Sequence, residues 1–480
     1  MPRHPFEEID LSRLRRPSLV WTAFLAVHVW IGIVGVLMIP KAAFWDLDLY
    51  RYWVWLGVHT GQWPSIDAAW VYPAGALLPM ILAGVGGLGY GAGYAVAWCL
   101  MVTALDAAAF AVLLRRRHGV VAGWWWTAFL LLLGPIAVGR LDAIVVPLAV
   151  VGLLWGLDRP AVASFLLTVG AWIKVAPGGL VASLFLVSRR PWRDVAAPAI
   201  ATSALVAGTV IAVGGRDTVA SFLTEQSARG LQIEAVGATP WVLAALLTPR
   251  IERWFNDDIG SWELRGLGAT QMADLLGALF AIGLVVVVAL LWWRRRRLGR
   301  RLWTDRTARS EVLVRGALLV TLAMLVFNKV GSPQYISWLT GPVVVALAIG
   351  LPGWRRTAGL VLAVGAATQV VFPWLYGEIT YGGAGTTLLL AARNGALVVL
   401  LGWTVRALVR PDEAAGRRPE ALPDKFDVPD DAAELDDAAA AMAQPIGSTA
   451  TGTLSTRRSP TGRTSPVMAN DEVSGSSSLE

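Results

Sequence analysis

The chain has 480 residues, 55% of them apolar and only 16% charged, with 24 tryptophans, a positive mean hydropathy and a formal net charge of +7. That composition excludes an ordinary soluble domain and points to a polytopic membrane protein. The single cysteine, Cys99, excludes an internal disulfide. The four histidines, His4, His28, His59 and His118, have no i,i+4 pairing and no cysteine companion, so no metal site is expected.

A basic tail, residues 1–18, leads into the first apolar run at 19–39, which serves as an uncleaved anchor. Residues 40–91 read as an outer loop. Its Gly-rich stretch 71–89 is taken as an interfacial helix, because the next run, 92–114, then ends inward at Arg115 to His118, as the positive-inside rule requires. Further spans follow near 120–138, 143–157, 161–175, 177–188, 195–213, 273–293, 312–330, 336–351, 357–376 and 385–408, about twelve in all, with both termini cytoplasmic. Arg189/Arg190, Arg294 to Arg297 with Arg300/Arg301, and Arg355/Arg356 then share the cytoplasmic side, although none of them was used to choose the first turn. The runs 161–175 and 177–188, parted near Pro177-Gly178-Gly179, are short and suggest a half-depth helical hairpin lining a cavity. A second outer loop covers 214–272. After the membrane domain, 19–409, the segment 410–480 is poor in large apolar residues and is expected to be a disordered cytoplasmic tail, its terminal SGSSSLE an added linker. The expected fold class is an all-α polytopic membrane protein.

Among the polar residues of the outer loops, WDLDLYRYW (Trp45 to Trp53) sets Asp46 and Asp48 within an aromatic cluster. A carboxylate in a partly desolvated pocket is a better proton acceptor, and Asp46 fits that description; the alternative is two solvated acids in an interfacial aromatic belt. Asp106, inside an apolar run, has no evident partner. The chain carries neither a phosphate-binding G-x-x-x-x-G-K-[ST] loop nor a dinucleotide fingerprint.

The DLDLY of Asp46 to Tyr50 resembles the D-L-x-V-Y element after the first span of the actinobacterial polyprenol-phosphate-mannose-dependent mannosyltransferases, glycosyltransferase family 87 of the GT-C superfamily. Three more elements match in order. VYPAG (71–75) looks like the family's Y-P-P, WIKVAP (172–177) resembles its I-K-x-x-P, and SPQYISWL (332–339) is close to its S-P-Q-Y-L-L-W-L. Ala74 replaces the usual second proline, and Asp48 falls where the family's element is open.

The resemblance implies a GT-C-like bundle of about twelve transmembrane helices with interfacial helices in the outer loops. It implies transfer of a sugar, mannose in the family, from a polyprenyl-phosphate donor to a hydroxyl of a glycolipid or lipoglycan at the extracytoplasmic face of the plasma membrane. The chemistry is inverting general-base catalysis, without cofactor, metal or nucleic acid. It assigns the base to Asp46, with Asp48 assisting or orienting the acceptor. A phosphate leaving group calls for fixed positive charge. Lys174 and Lys329 interrupt apolar runs near the outer ends of spans, where a cation is costly unless it snorkels or serves a purpose. Arg140 and Arg393 come second, and Arg140 has the alternative of pairing with Asp142. Tyr50, Gln334 and Tyr335 are the candidates for sugar or acceptor contacts. The competing reading, a lipid-linked sugar transporter or flippase, calls for internal repeats, and none is evident. A scaffold protein would need no outward carboxylate among aromatics.

Overall fold

The computed structural model describes residues 16–410 apart from 228 and 258–259; residues 1–15 of the basic tail and the expected disordered tail from 411 onward lie outside them. Apolar runs form helices because a helix pairs every backbone N–H and C=O within its own segment. The first, α1 (Pro17–Ile33), starts on a proline whose missing N–H costs nothing at that position, and runs on through a π-helical turn, Val34–Met38. The segment 40–91 contains α2 (Pro40–Ala43), α3 (Trp45–Thr60) and α4 (Leu77–Ala83). Next come α5 (Gly93–Leu114), α6 (Gly119–Leu133), α7 (Asp142–Trp155), α8 (Pro160–Ile173), α9 (Ala176–Val187) and α10 (Ala197–Ala212). The long connection that follows holds α11 (Ser221–Ser227) and α12 (Thr239–Ala244). The rest is α13 (Ala269–Leu298), α14 (Arg301–Thr304), α15 (Arg306–Val326), a 3-10 stretch Pro333–Leu339 leading into α16 (Thr340–Ala348), α17 (Arg355–Gln369), α18 (Tyr376–Thr380) and α19 (Ala384–Val409).

A helix stands at each of the twelve expected span positions, but among the described residues only seven are long and apolar enough to cross a membrane: Pro17–Met38, Gly93–Leu114, Gly119–Ala137, Trp192–Ala212, Ala269–Leu298, Arg355–Trp374 and Ala384–Val409. The others differ for definite reasons. α7, α8 and α9 have 14, 14 and 12 residues, about 18–21 Å against a hydrocarbon layer of roughly 30 Å. α15 is long enough but carries Arg306, Arg309, Glu311 and Arg315 in its first half. The stretch 71–89 forms only short helical turns, in keeping with its reading as a non-spanning segment.

These short or charged helices form the interior. α7 packs against α5, α8 and α16, and α15 against α9, α13, α16 and α19. Nearly every residue of α7, and of α15 from Val312 onward, is buried. The long helices α10 and α13 instead turn Ile200, Leu205, Ile282 and Val285 outward. Apolar side chains that face outward along whole helices suit lipid as the outer solvent. α8 and α9 pack side by side as the expected hairpin, with the break at Lys174-Val175 just ahead of Pro177.

Asp106 on α5 does have a partner. His28 Nε2 on α1 lies 3.1 Å from its Oδ2, and His28 Nδ1 lies 3.0 Å from the Phe24 carbonyl oxygen. Two helices are thus fastened by a buried polar pair whose members sit 78 positions apart in the chain.

The all-α expectation needs one correction. The connection between α10 and α13 carries a small antiparallel sheet of β1 (Leu231–Gln232), β2 (Glu252–Asn256) and β3 (Ser261–Arg265) in the order β1-β3-β2, with Leu231 opposite Leu264 and Trp254 opposite Glu263. Ile233, Val242, Ile251, Leu264, Leu276, Ile379 and Leu390 form a separate apolar core beneath it. This cap is fastened to α19 by Arg393. Its Nη1 donates to Glu234 Oε2 at 2.7 Å, its Nη2 donates to the Glu234 carbonyl at 2.9 Å, and its Nε donates to Asn394 Oδ1 at 3.1 Å.

Candidate active site

α3 buries Leu47, Tyr50, Val54 and Gly57 along one side. At 100° per residue, Asp46 and Asp48 point about 200° apart around that helix, to opposite faces. Asp48 is therefore exposed and among the described residues meets only Arg51, at 3.5 Å. Asp46 turns inward, in the first helical turn where the dipole favours an anion. Arg140 Nε lies 3.0 Å from Asp46 Oδ2, and the Tyr50 hydroxyl donates to that same oxygen at 3.5 Å. Oδ1 accepts no hydrogen bond among the described residues, and the carboxylate keeps about a fifth of its surface open. Arg140 is itself fixed, because its Nη1 donates to the carbonyls of Ala43 (2.7 Å) and Gly139 (2.9 Å). Gly139 permits this approach: a β-carbon there would stand 2.4 Å from the Phe44 ring.

Arg140 and Asp142 do not pair with each other. Leu141 intervenes as the chain turns into α7, so the two side chains find different partners. The Leu141 N–H donates to the Tyr50 hydroxyl at 3.4 Å. Asp142 opens α7 and is enclosed; Trp338 Nε1 donates to its Oδ1 at 2.6 Å and Lys174 Nζ lies 3.6 Å from its Oδ2. Lys174 stands at the hairpin break with its ammonium 4.7 Å from the centre of the Tyr72 ring and 5.3 Å from that of Tyr335. Cation–π contact helps hold a desolvated ammonium. Tyr335 in turn stacks on Trp338 at 4.3 Å. Tyr72 closes the ring by an edge-to-face contact with Tyr50, centroids 6.3 Å apart.

The four separate elements, DLDLY, VYPAG, WIKVAP and SPQYISWL, thus meet at one place, joined by GRLD (139–142). Gly75 shows how tightly: a β-carbon there would lie 2.6 Å from the Trp172 carbonyl oxygen. Despite Ala74 in place of a second proline, the 3-10 turn Ala74–Ala76 forms after Pro73. Burial, with smaller contributions from Tyr72 and Asp46, pushes the Tyr50 hydroxyl well above its ordinary pKa against the opposing charge of Arg140. Burial likewise raises Tyr72, opposed by Lys174. Both remain hydrogen-bond donors at neutral pH.

Other expected residues stand elsewhere or in other roles. Arg393 is in the cap clamp, because the buried carboxylate of Glu234, raised by desolvation and lowered by Arg393, needs a cation beside it. Lys329 lies in the connection after α15, its carbonyl accepting from the Gln232 N–H at 3.0 Å. Gln334 is buried in the 3-10 stretch, and its side-chain amide makes no hydrogen bond among the described residues. Sequence reasoning missed Tyr72 and Trp338, and took Asp142 only as a partner for Arg140. Tyr72 and Trp338 lie inside quoted elements, so the signal was present. Beside the hairpin break an apolar cavity of about 270 Å³ is lined by Ala171, Trp172, Val175, Phe222, Phe280 and Leu284, among others. Among the described residues no group of acids, histidines and cysteines is placed to hold a metal ion.

A multi-pass membrane protein with an inward carboxylate, a caged lysine and an apolar cavity beside it has the parts of an enzyme acting on an amphiphilic substrate. Residues 70–304 match the family model of glycosyltransferase family 87, and that match marks the multi-pass chain as a glycosyltransferase. VYPAG and WIKVAP lie inside the matched stretch, while DLDLY and SPQYISWL lie outside it. No curated protein and no solved structure matches the chain.

Proposed function

We propose that the protein moves a mannosyl group from a polyprenyl-phosphate donor to a hydroxyl of a glycolipid or lipoglycan, with inversion, at the extracytoplasmic face of the plasma membrane. The observation that carries this reading is the state of Asp46: both its protein contacts fall on Oδ2, and Oδ1 is left open beside the aromatic cluster. An anchored carboxylate with one free oxygen suits a general base. The acceptor hydroxyl gives its proton to Oδ1 as its oxygen attacks the anomeric carbon. The bond from that carbon to the phosphate oxygen breaks, and the electron pair leaves with the polyprenyl phosphate. Lys174, and Lys329 from its loop, meet the phosphate; Gln334 and Tyr335 meet sugar or acceptor hydroxyls, while Tyr50, its hydroxyl shared between Asp46 and the Leu141 N–H, holds the base in place. Asp142 is too enclosed to receive an acceptor and serves to hold Lys174. The apolar cavity beside Val175 has the chemistry to take the first isoprene units.

The test is to incubate purified protein with polyprenyl-phosphate-linked mannose and membrane lipid extract and to identify the product by mass spectrometry. A mannosylated lipid with inverted anomeric configuration is expected. Absence of any transfer product, with the donor intact, overturns the reading.

A further inference from the structure

Three arginines from separate parts of the chain converge on Trp303, at the end of α9 remote from Lys174. Arg189, just past α9, donates from Nη2 to the Trp303 carbonyl at 2.8 Å. Arg295 on α13 and Arg309 on α15 have their guanidinium carbons 5.4 and 5.5 Å from the centre of the Trp303 ring. The same two side chains reach the last turn of α9, where Arg295 Nη1 donates to the Leu186 carbonyl at 3.0 Å and Arg309 Nε to the Val187 carbonyl at 2.8 Å. Ser188, between Val187 and Arg189, is buried with its hydroxyl unpartnered among the described residues, a further donor at that turn.

Among the described residues no carboxylate forms an ion pair with any of the three arginines. Asp305, just ahead of α15, is held by Arg301 at 3.2 Å, and Asp158, between α7 and α8, by Arg306 at 2.5 Å and Arg116 at 3.8 Å. The end of α9 offers only about half a negative charge against three full positive ones. Each guanidinium has five N–H donors, and each uses one of them on a backbone carbonyl here. The positive-inside rule accounts for arginines on this side of the membrane, but not for three gathered around one indole.

The surface beside the cluster is aromatic. Trp192 is 75% exposed and meets Phe185, in the last turns of α9, edge-to-face at 5.2 Å. Trp292 and Trp293 on α13 are exposed as well, with Arg295 and Arg296 both stacked over Trp292. Further along, α10 and α13 turn Ile200, Val285 and Val288 outward. Indole rings settle at the headgroup level of a bilayer, which sets the arginines at the depth of lipid phosphates. We infer that Arg189, Arg295 and Arg309 form a binding site for the headgroup of an anionic phospholipid, whose acyl chains run along the outward faces of α10 and α13. A zwitterionic headgroup brings its own cation and leaves the cluster uncompensated; an anionic one neutralises it. In the topology read from the sequence the lipid belongs to the cytoplasmic leaflet, and the site is independent of the transferase reading.

Full-length protein, delipidated in detergent, is titrated with phosphatidylglycerol and with phosphatidylcholine of the same acyl chains, and retained lipid is counted by native mass spectrometry. Phosphatidylglycerol should bind about tenfold more tightly than phosphatidylcholine. Arg189→Gln/Arg309→Gln loses two charge-assisted contacts and should weaken phosphatidylglycerol by about ten- to a hundredfold, with part of the loss restored in Arg189→Lys/Arg309→Lys. Arg189→Gln alone, at an exposed side chain, should weaken it by about three- to tenfold. Arg355→Gln/Arg356→Gln removes as many charges from exposed positions at the start of α17 and should change binding by no more than about twofold. Equal losses in the two glutamine pairs indicate general attraction to a basic surface and overturn the site. Unchanged phosphatidylglycerol affinity in Arg189→Gln overturns it too, even where the double variant fails to fold. Displacement of the lipid by millimolar inorganic phosphate makes this a site for free anions and overturns the lipid assignment.

Discussion

Asp142 and Lys174 face each other at 3.6 Å with both side chains almost wholly out of solvent. Each is expensive to bury without the other, since removing one partner of a buried pair typically costs about 3–5 kcal/mol. Lys174→Ala and Asp142→Ala should therefore each lower the thermal unfolding temperature in detergent, apart from any effect on catalysis. The double variant Asp142→Asn/Lys174→Met should recover most of that stability while donor affinity stays low. A double variant that regains donor affinity as well would remove Lys174 from phosphate binding.

The two acids of WDLDLYRYW should separate cleanly. Asp46→Asn keeps the side-chain shape but cannot take a proton, so turnover should fall by about two to four orders of magnitude. Asp48 is exposed and pairs with Arg51 at the surface, so Asp48→Asn should stay within about twofold of wild type. Single-turnover rates on saturating donor read the difference directly. The reverse order would move the base to Asp48.

Arg393 is expected to matter for folding more than for donor use. Arg393→Ala strands the buried Glu234 carboxylate and should cost about 3–5 kcal/mol. Adding Glu234→Gln to that variant should return part of the loss. Thermal unfolding of the three variants checks this, and an Arg393→Ala protein as stable as wild type with a raised donor KM would place Arg393 among the phosphate ligands.

Gly75 sits against the peptide of Trp172, and backbone cannot move aside as a side-chain tip can. Gly75→Ala should force VYPAG and WIKVAP apart, with about 1–3 kcal/mol lost and a lower transfer rate. Gly208→Ala, on α10 with nothing within 4 Å of the added carbon, is the matched control and should be neutral or slightly stabilising.

Orientation is open to chemical labelling. In a background lacking Cys99, Leu247→Cys, at a side chain 90% exposed on the long connection before α13, should react with an impermeant thiol reagent on intact cells. Arg300→Cys, exposed beyond the far end of α13, should react only after lysis. The opposite pattern would place the site on the cytoplasmic side.

Much of this architecture was readable from apolar runs alone, because hydrocarbon solvation leaves a twenty-residue signature that needs no tertiary information. Where helices are shielded by other helices that signature shortens, and α7, α8 and α9 accordingly lie within two residues of the short runs read at 143–157, 161–175 and 177–188. The sheet was missed although ERWFN and SWELR are short and flank a turn-forming stretch; their signal was weak inside a loop read as irregular. The aromatic surroundings of Asp46 were legible from its neighbours, but the separation of Asp46 from Asp48 needed the helical geometry of α3. The Glu234–Arg393 pair spans 159 positions and leaves no local pattern.

The start of α7 ties two ion pairs of the candidate site to a single turn of chain. Arg140 stands two residues ahead of Asp142 and holds Asp46, while Asp142 opens the helix and holds Lys174. A shift of that turn therefore displaces an acid on α3 and a lysine at the break between α8 and α9 together, so the two pairs behave as one rigid joint rather than as separate contacts.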